Sequence, residues 1–564
     1  MNNNQVEIII ENTGERRLVA QGISLKELAA DCPSLTRYPI VGALVNNRIE
    51  HLDYRIYNPK VVRLFDYTSK EGMRMYKTSL TFLLYKAVRD CYSQADLEVK
   101  HSLLSGYYCR IWPEGRNRQE MQTPSASAEV AERVATRMRE LQQADLPFEN
   151  QQMLLTDAVE LIKQQNLPET EQLLSGLGQL YINMQRLGDK LVKLGSPLVP
   201  STGILSCWNL QVYEQGYLLQ CPTTEHPDTL SPIRSTPKLF NIFQEHHRWV
   251  ELLRMPTIEQ LNRIVRDRGE NHLIHVSEAL HEKKYAAIAD NIYQRRGQLK
   301  MVLLAGPSSS GKTTSCRRLS VQLSVLGFDV QQLSLDDYFV PREQTPRQPN
   351  GDHDFEALGA LNIPLLNDHL LRLFKGERVE IPTYDFIKGA PYYSGKALQM
   401  QPNSILVVEG IHALNPQLTA QIPDETKYKV YVSALTQVVI DDLNLIHSSD
   451  NRLIRRIVRD YNFRGYSAHN TLKRWESVQR GEHRHIFPYQ ENADIMFNSA
   501  LLYELGILKV YAEPQLKKVP ENCPEYAEAS RLLSFIEMVE PIDPKFIPPT
   551  SIMREFLGGS SFKY

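Results

Sequence analysis

The stretch AGPSSSGKTT, residues 305–314, constrains the fold of this chain of 564 residues more than any other. It satisfies the pattern G-x-x-x-x-G-K-[ST], in which successive backbone N–H groups turn inward and surround phosphate oxygens. The apolar run MVLLA precedes it, and leucines at helical spacing follow it. This order predicts a buried strand, a phosphate-binding loop and a helix whose N-terminus faces the phosphates.

The residues of this loop have separate expected roles. Gly306 and Gly311 supply backbone angles that other residues adopt poorly, and Lys312 reaches the outer phosphates. The hydroxyl of Thr313 is a candidate ligand for Mg²⁺. The other candidate nucleotide contacts are Ser308, Ser309, Ser310 and Thr314. The loop therefore predicts a site for ATP with Mg²⁺.

Two further strand-like runs end in carboxylates. SILVVEG closes with Glu409, and LSLDDYF contains Asp336 and Asp337. In open α/β sheets, ligands bind at the carboxyl ends of the strands. Glu409 is therefore a candidate Mg²⁺ ligand, and one of the two aspartates could orient an attacking hydroxyl and accept its proton. Taken alone, each run is also typical of an acidic strand end or a turn.

Arginines cluster downstream of these strands. In NRLIRRIVRD they fall on one helical face, and another follows before a glycine. The five positions are Arg452, Arg455, Arg456, Arg459 and Arg464. Such a run usually forms a solvated basic face. Within an α/β domain that binds phosphates, it predicts a lid whose guanidinium groups neutralise charge on a transferring phosphoryl group.

Residues 299–505 as a whole resemble the uridine kinase and phosphoribulokinase-like branch of P-loop kinases. The segments that carry the resemblance occur in the order in which that family has similar segments: AGPSSSGKTT, LSLDDYF, NGDHDFEAL, IPTYDF, VVEGIHAL, RLIRRIVRD, FRG and YQENADIMF. The resemblance implies an ATP-dependent kinase that transfers the γ-phosphate to the 5′-hydroxyl of a nucleoside.

The same resemblance implies roles for individual residues. Asp336 is similar to the family's catalytic aspartate, and Lys312 and Arg455 would act with it. The implied substrate contacts are Asp352 at the ribose hydroxyls, Tyr384 as a pocket aromatic, and Arg452 and Arg464 from the lid.

Two departures from the family pattern concern the choice of base. Gly389 stands where pyrimidine nucleoside kinases place a base-reading histidine, and Gly351 stands where an aromatic residue is expected before Asp352. Selective sites reject wrong substrates with buried hydrogen-bonding groups, and loss of one loosens selection by about 1–3 kcal/mol. Other nucleosides, and other small hydroxylated acceptors such as a sugar or polyol, remain alternatives.

The first 230 residues resemble a different family, the TGS domain followed by the editing-type domain of threonyl-tRNA synthetases. LEVKHSLLSGYYCRIW and PLVPSTGILSCWNLQVYEQGYLL carry this likeness. Where the synthetases have an HxxxH helix and a later cysteine and histidine, this chain has Thr78, Phe82, Leu194 and Leu198. None of these side chains ligates a metal or moves a proton at neutral pH. The resemblance therefore implies a binding or regulatory role, with RNA as a candidate partner.

The expected fold class is α/β, with a P-loop kinase domain whose parallel sheet is wrapped by helices. A small α+β TGS-like domain and a second α+β domain precede it. The predicted boundaries are 1–65 for the TGS-like domain, 66–230 for the second domain, 231–298 for a helical connector, 299–510 for the kinase domain and 511–564 for a C-terminal extension.

Charge and cysteine usage exclude several classes. The 64 Lys and Arg balance 66 Asp and Glu, so no overall field draws the chain to nucleic acid or membrane. This weakens the rival interpretation, a nucleotide-gated RNA- or ribosome-binding protein. Seven cysteines without CxxC spacing indicate neither a disulfide framework nor a zinc site. No signal peptide or membrane span is recognisable, so we expect a cytoplasmic protein.

Overall fold

The structure, a computed structural model, describes residues 4–103, 106–116, 125–348, 351–436 and 438–563. A mixed five-stranded sheet in the order β2-β1-β7-β4-β5 comes first. Its elements, with a short two-stranded pair and one helix, are β1 (Gln5–Ile10), β2 (Glu15–Ala20), β3 (Ile23–Ser24), α1 (Leu25–Ala30), β4 (Gly42–Val45), β5 (Arg48–Glu50), β6 (Arg55–Ile56) and β7 (Lys60–Phe65).

Helix α1 closes the core of this small sheet. Ser24 and Glu27 form a capping box at its N-terminus, which satisfies two backbone N–H groups that the helix leaves unpaired. Leu25 and Leu28 then face the sheet and share one core with Ile8. The assignment of this region as TGS-like stays a prediction.

The next region packs a long helix and two antiparallel sheets into a second core. The sheets have the orders β13-β14-β9-β8 and β10-β11-β12. The elements are α2 (Lys70–Cys91), β8 (Asp96–Leu103), β9 (Gly106–Trp112), α3 (Ala128–Gln143), β10 (Glu149–Leu154), α4 (Leu155–Gln164), α5 (Pro168–Ser175), β11 (Tyr181–Leu187), β12 (Lys190–Val192), β13 (Asn209–Tyr213) and β14 (Gly216–Gln220). Phe82, Leu194 and Leu198 are buried in this core, whereas Thr78 lines a small cavity of about 100 Å³.

Three helices lead from this region to the phosphate-binding loop. They are α6 (Pro237–Leu252), α7 (Ile258–Arg266) and α8 (Glu270–Gln294). The hydroxyl of Tyr285 on α8 donates to Ser315 Oγ at 2.9 Å, four residues after the last glycine of the loop. The connector is thus bonded directly to the helix that begins at the loop.

A five-stranded parallel sheet carries the predicted loop. Its order is β16-β19-β15-β20-β21, so the strand that precedes the loop lies at the centre. Strands covered on both faces become continuous apolar runs, as in MVLLA. The elements of this region are β15 (Met301–Ala305), α9 (Lys312–Val325), β16 (Asp329–Ser334), α10 (Ile363–Phe374), β17 (Val379–Asp385), β18 (Ala390–Leu398), β19 (Ser404–Glu409), β20 (Lys427–Ser433), α11 (Ser448–Arg464), α12 (Ala468–His485) and β21 (Ile495–Asn498).

The C-terminal residues pack against the parallel-sheet region. Helix α13 (Glu504–Leu516) crosses the predicted boundary at residue 510, and α14 (Tyr526–Ile536) and α15 (Arg554–Leu557) follow it. Ile552, Met553 and Phe556 are fully buried in the same core as β15 and α9. Among the described residues, no helix combines the length and apolar character that crossing a bilayer requires.

The segment between β20 and α11 leaves the parallel-sheet region and enters the second core. Leu443 is 5% exposed and packs in that core. The backbone N–H of Val99 donates to the carbonyl of Asp442 at 2.8 Å. The side chain of Asn444 bonds the carbonyl of Lys193 at 2.8 Å. The N-terminal half therefore holds the residues that immediately precede α11.

We expect Leu443→Ala to destabilise the protein by about 2–4 kcal/mol, because it removes a buried side chain and leaves a cavity between two regions. Differential scanning calorimetry should show a lower unfolding temperature, with the N-terminal transition most affected. Leu371→Ala, at a position 37% exposed on α10, is the matched control and should change little. Equal effects of the two substitutions would contradict this packing.

Candidate functional site

The phosphate-binding loop, residues 306–313, contains two glycines that the structure requires. A Cβ at Gly306 would lie 1.9 Å from the carbonyl oxygen of Val432 on the neighbouring strand. Gly311 has φ of 80° at the N-cap of α9, in the left-handed region that favours glycine. The local sequence therefore permits one sharp turn into the helix.

Three consecutive carbonyl groups of the loop accept hydrogen bonds from side chains of distant segments. Arg452 donates to the carbonyl of Ser308 at 3.1 Å, and Arg455 donates to that of Ser309 at 3.4 Å. The hydroxyl of Ser499 donates to the next serine carbonyl. With the carbonyls held in this way, N–H groups of the loop can turn toward an anion, although the N–H of Ser308 already donates to Glu482 at 2.9 Å.

Arg452 and Arg455 support the loop from within the protein. Arg452 is 4% exposed and donates to Glu482 at 2.8 Å, whereas Arg455 is 0% exposed and donates to Glu504 at 3.1 Å. The sequence predicts a catalytic role for Arg455 and a substrate contact for Arg452. Their burial favours positioning of the loop over direct contact with a phosphoryl group.

The two predicted acidic strand ends meet near Lys312. The hydroxyl of Ser334, at the end of β16, donates to Glu409 at the end of β19 at 3.0 Å. Burial and the neighbouring charge of Asp336 raise the pKa of Glu409 to about 7, and Lys312 opposes this rise. The structure therefore brings Lys312, Asp336 and Glu409 together.

Asp336 is exposed to the cleft yet surrounded closely enough by protein for its pKa to be raised. Burial is the main cause, and the positive charges of Lys312 and Arg464 work against it. Asp337 points to a different partner, because Lys396 lies 3.4 Å from its carboxylate. The two aspartates of LSLDDYF are thus distinguished by their surroundings.

The remaining loop side chains differ in their contacts. Lys312 Nζ donates to the carbonyl of Pro307 at 3.0 Å. Thr313 is half-buried, and within the described part of the chain its hydroxyl has no protein partner. The N–H and hydroxyl of Thr314 both donate to the carboxylate of Glu555, at 3.2 and 2.6 Å. The hydroxyl of Thr313 and the carboxylate of Glu409 are oxygen donors of the kind that a hard cation such as Mg²⁺ prefers.

The guanidinium groups that face the loop come from the second half of α11. Arg456 donates to the hydroxyl of Ser308 at 2.8 Å. Arg464 is half-exposed and lies near Asp336, and Asp460 is 2.8 Å from Arg459. Burial, together with the charge of Arg459, lowers the pKa of Arg464. Helical spacing placed four of the five arginines on one face, with Arg464 after them, but did not separate these three from the two that are buried.

An aromatic cluster lies beyond Asp336. The ring of Tyr384 is 5.5 Å from Phe339 and 5.1 Å from Phe386, and Phe339 is 6.4 Å from Phe355. Phe386 is 61% exposed, so part of the cluster is open to a ligand. Sequence reasoning selected only Tyr384. The phenylalanines adjoin the same motifs, LDDYF, HDF and YDF, which was the available signal.

Asp352 lies on an exposed turn beside this cluster. It precedes Phe355 by three residues, and its carbonyl accepts a hydrogen bond from the N–H of Gln348 at 2.8 Å. Asn350, from the same NGDH segment, lies outside the described residues.

Arg342 occupies the space beside Gly389, where the resemblance leads one to expect a histidine side chain. A Cβ at Gly389, whose φ is 71°, would lie 2.8 Å from Arg342 Nε. Arg342 also donates to the carbonyl of Phe386 at 2.7 Å. A guanidinium group therefore stands next to the aromatic cluster, and sequence reasoning missed it.

Two other polar groupings lie away from the loop. A cavity of about 710 Å³ between the N-terminal half and α6 has charged walls, but these pair with one another, as Glu98 does with Lys100 at 2.8 Å. His469 Nε2 is 3.1 Å from Glu525, with Cys523 close by. The cysteine spacing gave no sign of this second grouping.

Residues 301–502 match the model of the phosphoribulokinase/uridine kinase family. Uridine kinase from Staphylococcus haemolyticus is 30% identical over 194 residues, which are 34% of this chain and 84% of the relative. Uridine kinase from Deinococcus deserti is 29% identical over 194 residues, with the same two coverages. The chain belongs to the phosphoribulokinase/uridine kinase family. Membership makes it an ATP-dependent kinase, as the resemblance of residues 299–505 predicts.

The family match concerns about a third of the chain. Among solved structures, D-glycerate 3-kinase from Cryptococcus neoformans is similar, with 15% identity, a TM-score of 0.27 and coverage of 38% of this chain and 89% of that one. A score this low adds nothing to the family match. The likeness of the first 230 residues to synthetase domains stays a prediction.

Glu409→Gln should raise the unfolding temperature of the nucleotide-free protein at pH 8 and change it little at pH 5. A folded pKa of about 7, above the ordinary 4.5, gives a stabilisation that is complete below 4.5 and lost as the pH rises through 7. At pH 8 the ionised carboxylate is buried beside Asp336, and a neutral amide removes that repulsion. Glu343→Gln, at an exposed position, is the control. A shift independent of pH would contradict the raised pKa.

Proposed function

We propose that this family member transfers the γ-phosphate of ATP to the 5′-hydroxyl of a nucleoside. The observation that supports this most is the juxtaposition of Lys312, Asp336 and an exposed aromatic cluster. Lys312 suits the phosphates, Asp336 suits a hydroxyl, and the aromatic rings suit the flat face of a base. A kinase for a sugar or polyol would also need Lys312 and Asp336 but would not need the aromatic cluster.

The phosphate-binding loop would hold the β- and γ-phosphates through its backbone N–H groups, and Lys312 would contact the outer oxygens. Thr313 and Glu409 would hold Mg²⁺, which when bound supplies positive charge against the phosphates. Because the transition state of phosphoryl transfer is loose, positioning and charge neutralisation supply most of the rate. The fixed loop would provide the positioning. Much of the charge neutralisation would come from Arg456, Arg459 and Arg464.

Asp336 would orient the attacking hydroxyl. The hydroxyl oxygen bonds to the γ-phosphorus while the bond from that phosphorus to the β–γ bridging oxygen breaks, so ADP leaves. Asp336 accepts the hydroxyl proton and returns it to solvent. A carboxyl whose pKa is raised by burial is a better proton acceptor than an ordinary aspartate.

Asp336→Asn should lower the rate of nucleoside phosphorylation by about 10²–10⁴-fold, because the proton acceptor is lost. Asp337→Asn is the matched control, since Asp337 is engaged with Lys396, and it should retain most activity. Purified protein would be incubated with Mg-ATP and a panel of ribonucleosides, deoxynucleosides and polyols, and products identified by mass. Near-normal turnover of Asp336→Asn would contradict the assignment, and ATP turnover stimulated only by RNA would favour the rival function.

Arg342→Ala should weaken binding of the preferred acceptor by about 10-fold and leave the KM for ATP unchanged. Arginine offers only donors, so it suits a base edge that presents carbonyl oxygens. Loss of one such hydrogen bond costs about 1–3 kcal/mol. Steady-state kinetics with uridine, cytidine and adenosine measure the effect, and Arg347→Ala, at an exposed arginine that donates to the carbonyl of Gly351 at 2.8 Å, is the control. Equal losses for all three nucleosides would contradict a role in choosing the base.

A further inference from the structure

The C-terminal helix reaches the first turn of α9. Glu555 Oε2 accepts hydrogen bonds from both the backbone N–H and the hydroxyl of Thr314, at 3.2 and 2.6 Å. Thr314 directly follows the lysine and threonine that end the phosphate-binding loop. A carboxylate from a residue 241 positions further along the chain therefore lies at the N-terminus of α9.

The groups that Glu555 occupies are those a phosphate would use. The first N–H groups of a helix have no partner within it and carry the positive end of the helix dipole. In loops of this type the backbone N–H groups surround the α- and β-phosphates. Thr314 is the third residue of α9, so its N–H belongs to this set. Glu555 thus places an anion where an anionic ligand is expected.

The residues around Glu555 connect the loop with α11. Ile552 packs on Gly311 so closely that a Cβ there would lie 2.8 Å from its Cγ2. The ring of Phe556 lies 5.2 Å from the guanidinium carbon of Arg455, and its carbonyl accepts from Asn462 at 3.0 Å. The C-terminal segment, residues 551–557, therefore contacts both sides of the candidate nucleotide site.

We propose that the C-terminal segment is part of the nucleotide site and that Glu555 must release Thr314 before a nucleotide phosphate binds there. The inference rests on the proposed function, because it requires a nucleotide in the phosphate-binding loop. Two anions cannot share the same donors, and Glu409 and Asp336 already make the site rich in carboxylates. Only molecules in which Glu555 has left Thr314 can bind the nucleotide. The apparent affinity is therefore the intrinsic affinity multiplied by the fraction of such molecules.

Direct binding of ADP, which needs no acceptor and no turnover, tests the competition. Glu555→Gln keeps the shape of the side chain and removes its charge, and it should tighten ADP binding by about 5- to 10-fold. Glu555→Ala should do the same or more. Glu540→Gln, which changes a half-exposed carboxylate of the same extension, is the matched control and should bind like the unchanged protein. Isothermal calorimetry gives the affinities. Unchanged or weaker binding by both Glu555 variants would overturn the proposal.

Hydrogen exchange of the unchanged protein gives a second test, which does not depend on any substitution. Addition of ADP should speed exchange of the amides in the C-terminal segment, because Glu555 leaves Thr314. Slower exchange there would mean that the segment clamps the nucleotide instead and would overturn the competition. Lys312→Ala separates the two proposals. If ADP binds neither the unchanged protein nor any variant, the proposed function fails. If ADP binds in a Lys312-dependent way without an effect of Glu555, only the present inference fails.

Discussion

The geometry of the site depends on two buried arginines that bond the loop carbonyls from behind. Carbonyls in a loop whose N–H groups turn inward need partners of their own, and Arg452 and Arg455 bond those of Ser308 and Ser309. Each arginine would be costly to bury alone, so each is paired with a buried carboxylate, Glu482 or Glu504. Breaking a buried pair of this kind typically costs about 3–5 kcal/mol. The first half of α11 thus supports the loop. The later residues of that helix are the ones that remain candidates for a lid.

Charges of opposite sign lie close together at the candidate site beside the loop. Glu356 and Glu409 both have a pKa raised to about 7, with burial as the main cause and neighbouring carboxylates adding to it. Lys312 lowers the pKa of both and Arg456 lowers that of Glu356, but burial outweighs these charges. Buried carboxylates favour a cation, and the N–H groups of the loop favour an anion. A metal–nucleotide complex satisfies both demands at once.

The sequence predicted those parts of the site that follow from local rules. Strand, loop and helix are consecutive, and parallel strands place Asp336 and Glu409 at one edge of the sheet because their carboxyl ends coincide. Contacts from distant segments have no such signature: Glu482 reaches the N–H of Ser308 from 174 residues away, and Glu555 reaches Thr314 from 241. Helical spacing identified the face that contains Arg455, but whether that face meets solvent or the loop depends on tertiary packing. Of the aromatic cluster only Tyr384 was predicted, although the phenylalanines adjoin the same motifs.

The N-terminal half is joined to α11 at the point where that helix begins. Leu443 packs in the second core and Leu445 against it, in the segment that leads directly into α11. Arg531 then bonds Asp450 in the first turn of that helix at 2.7 Å, and it shares Glu528 with Arg74 of α2. Because these groups are mostly buried, a shift of α2 relative to the parallel sheet would break charge pairs as well as apolar contacts. The start of α11, from which Arg452 and Arg455 bond the phosphate-binding loop, is therefore in direct contact with the N-terminal half.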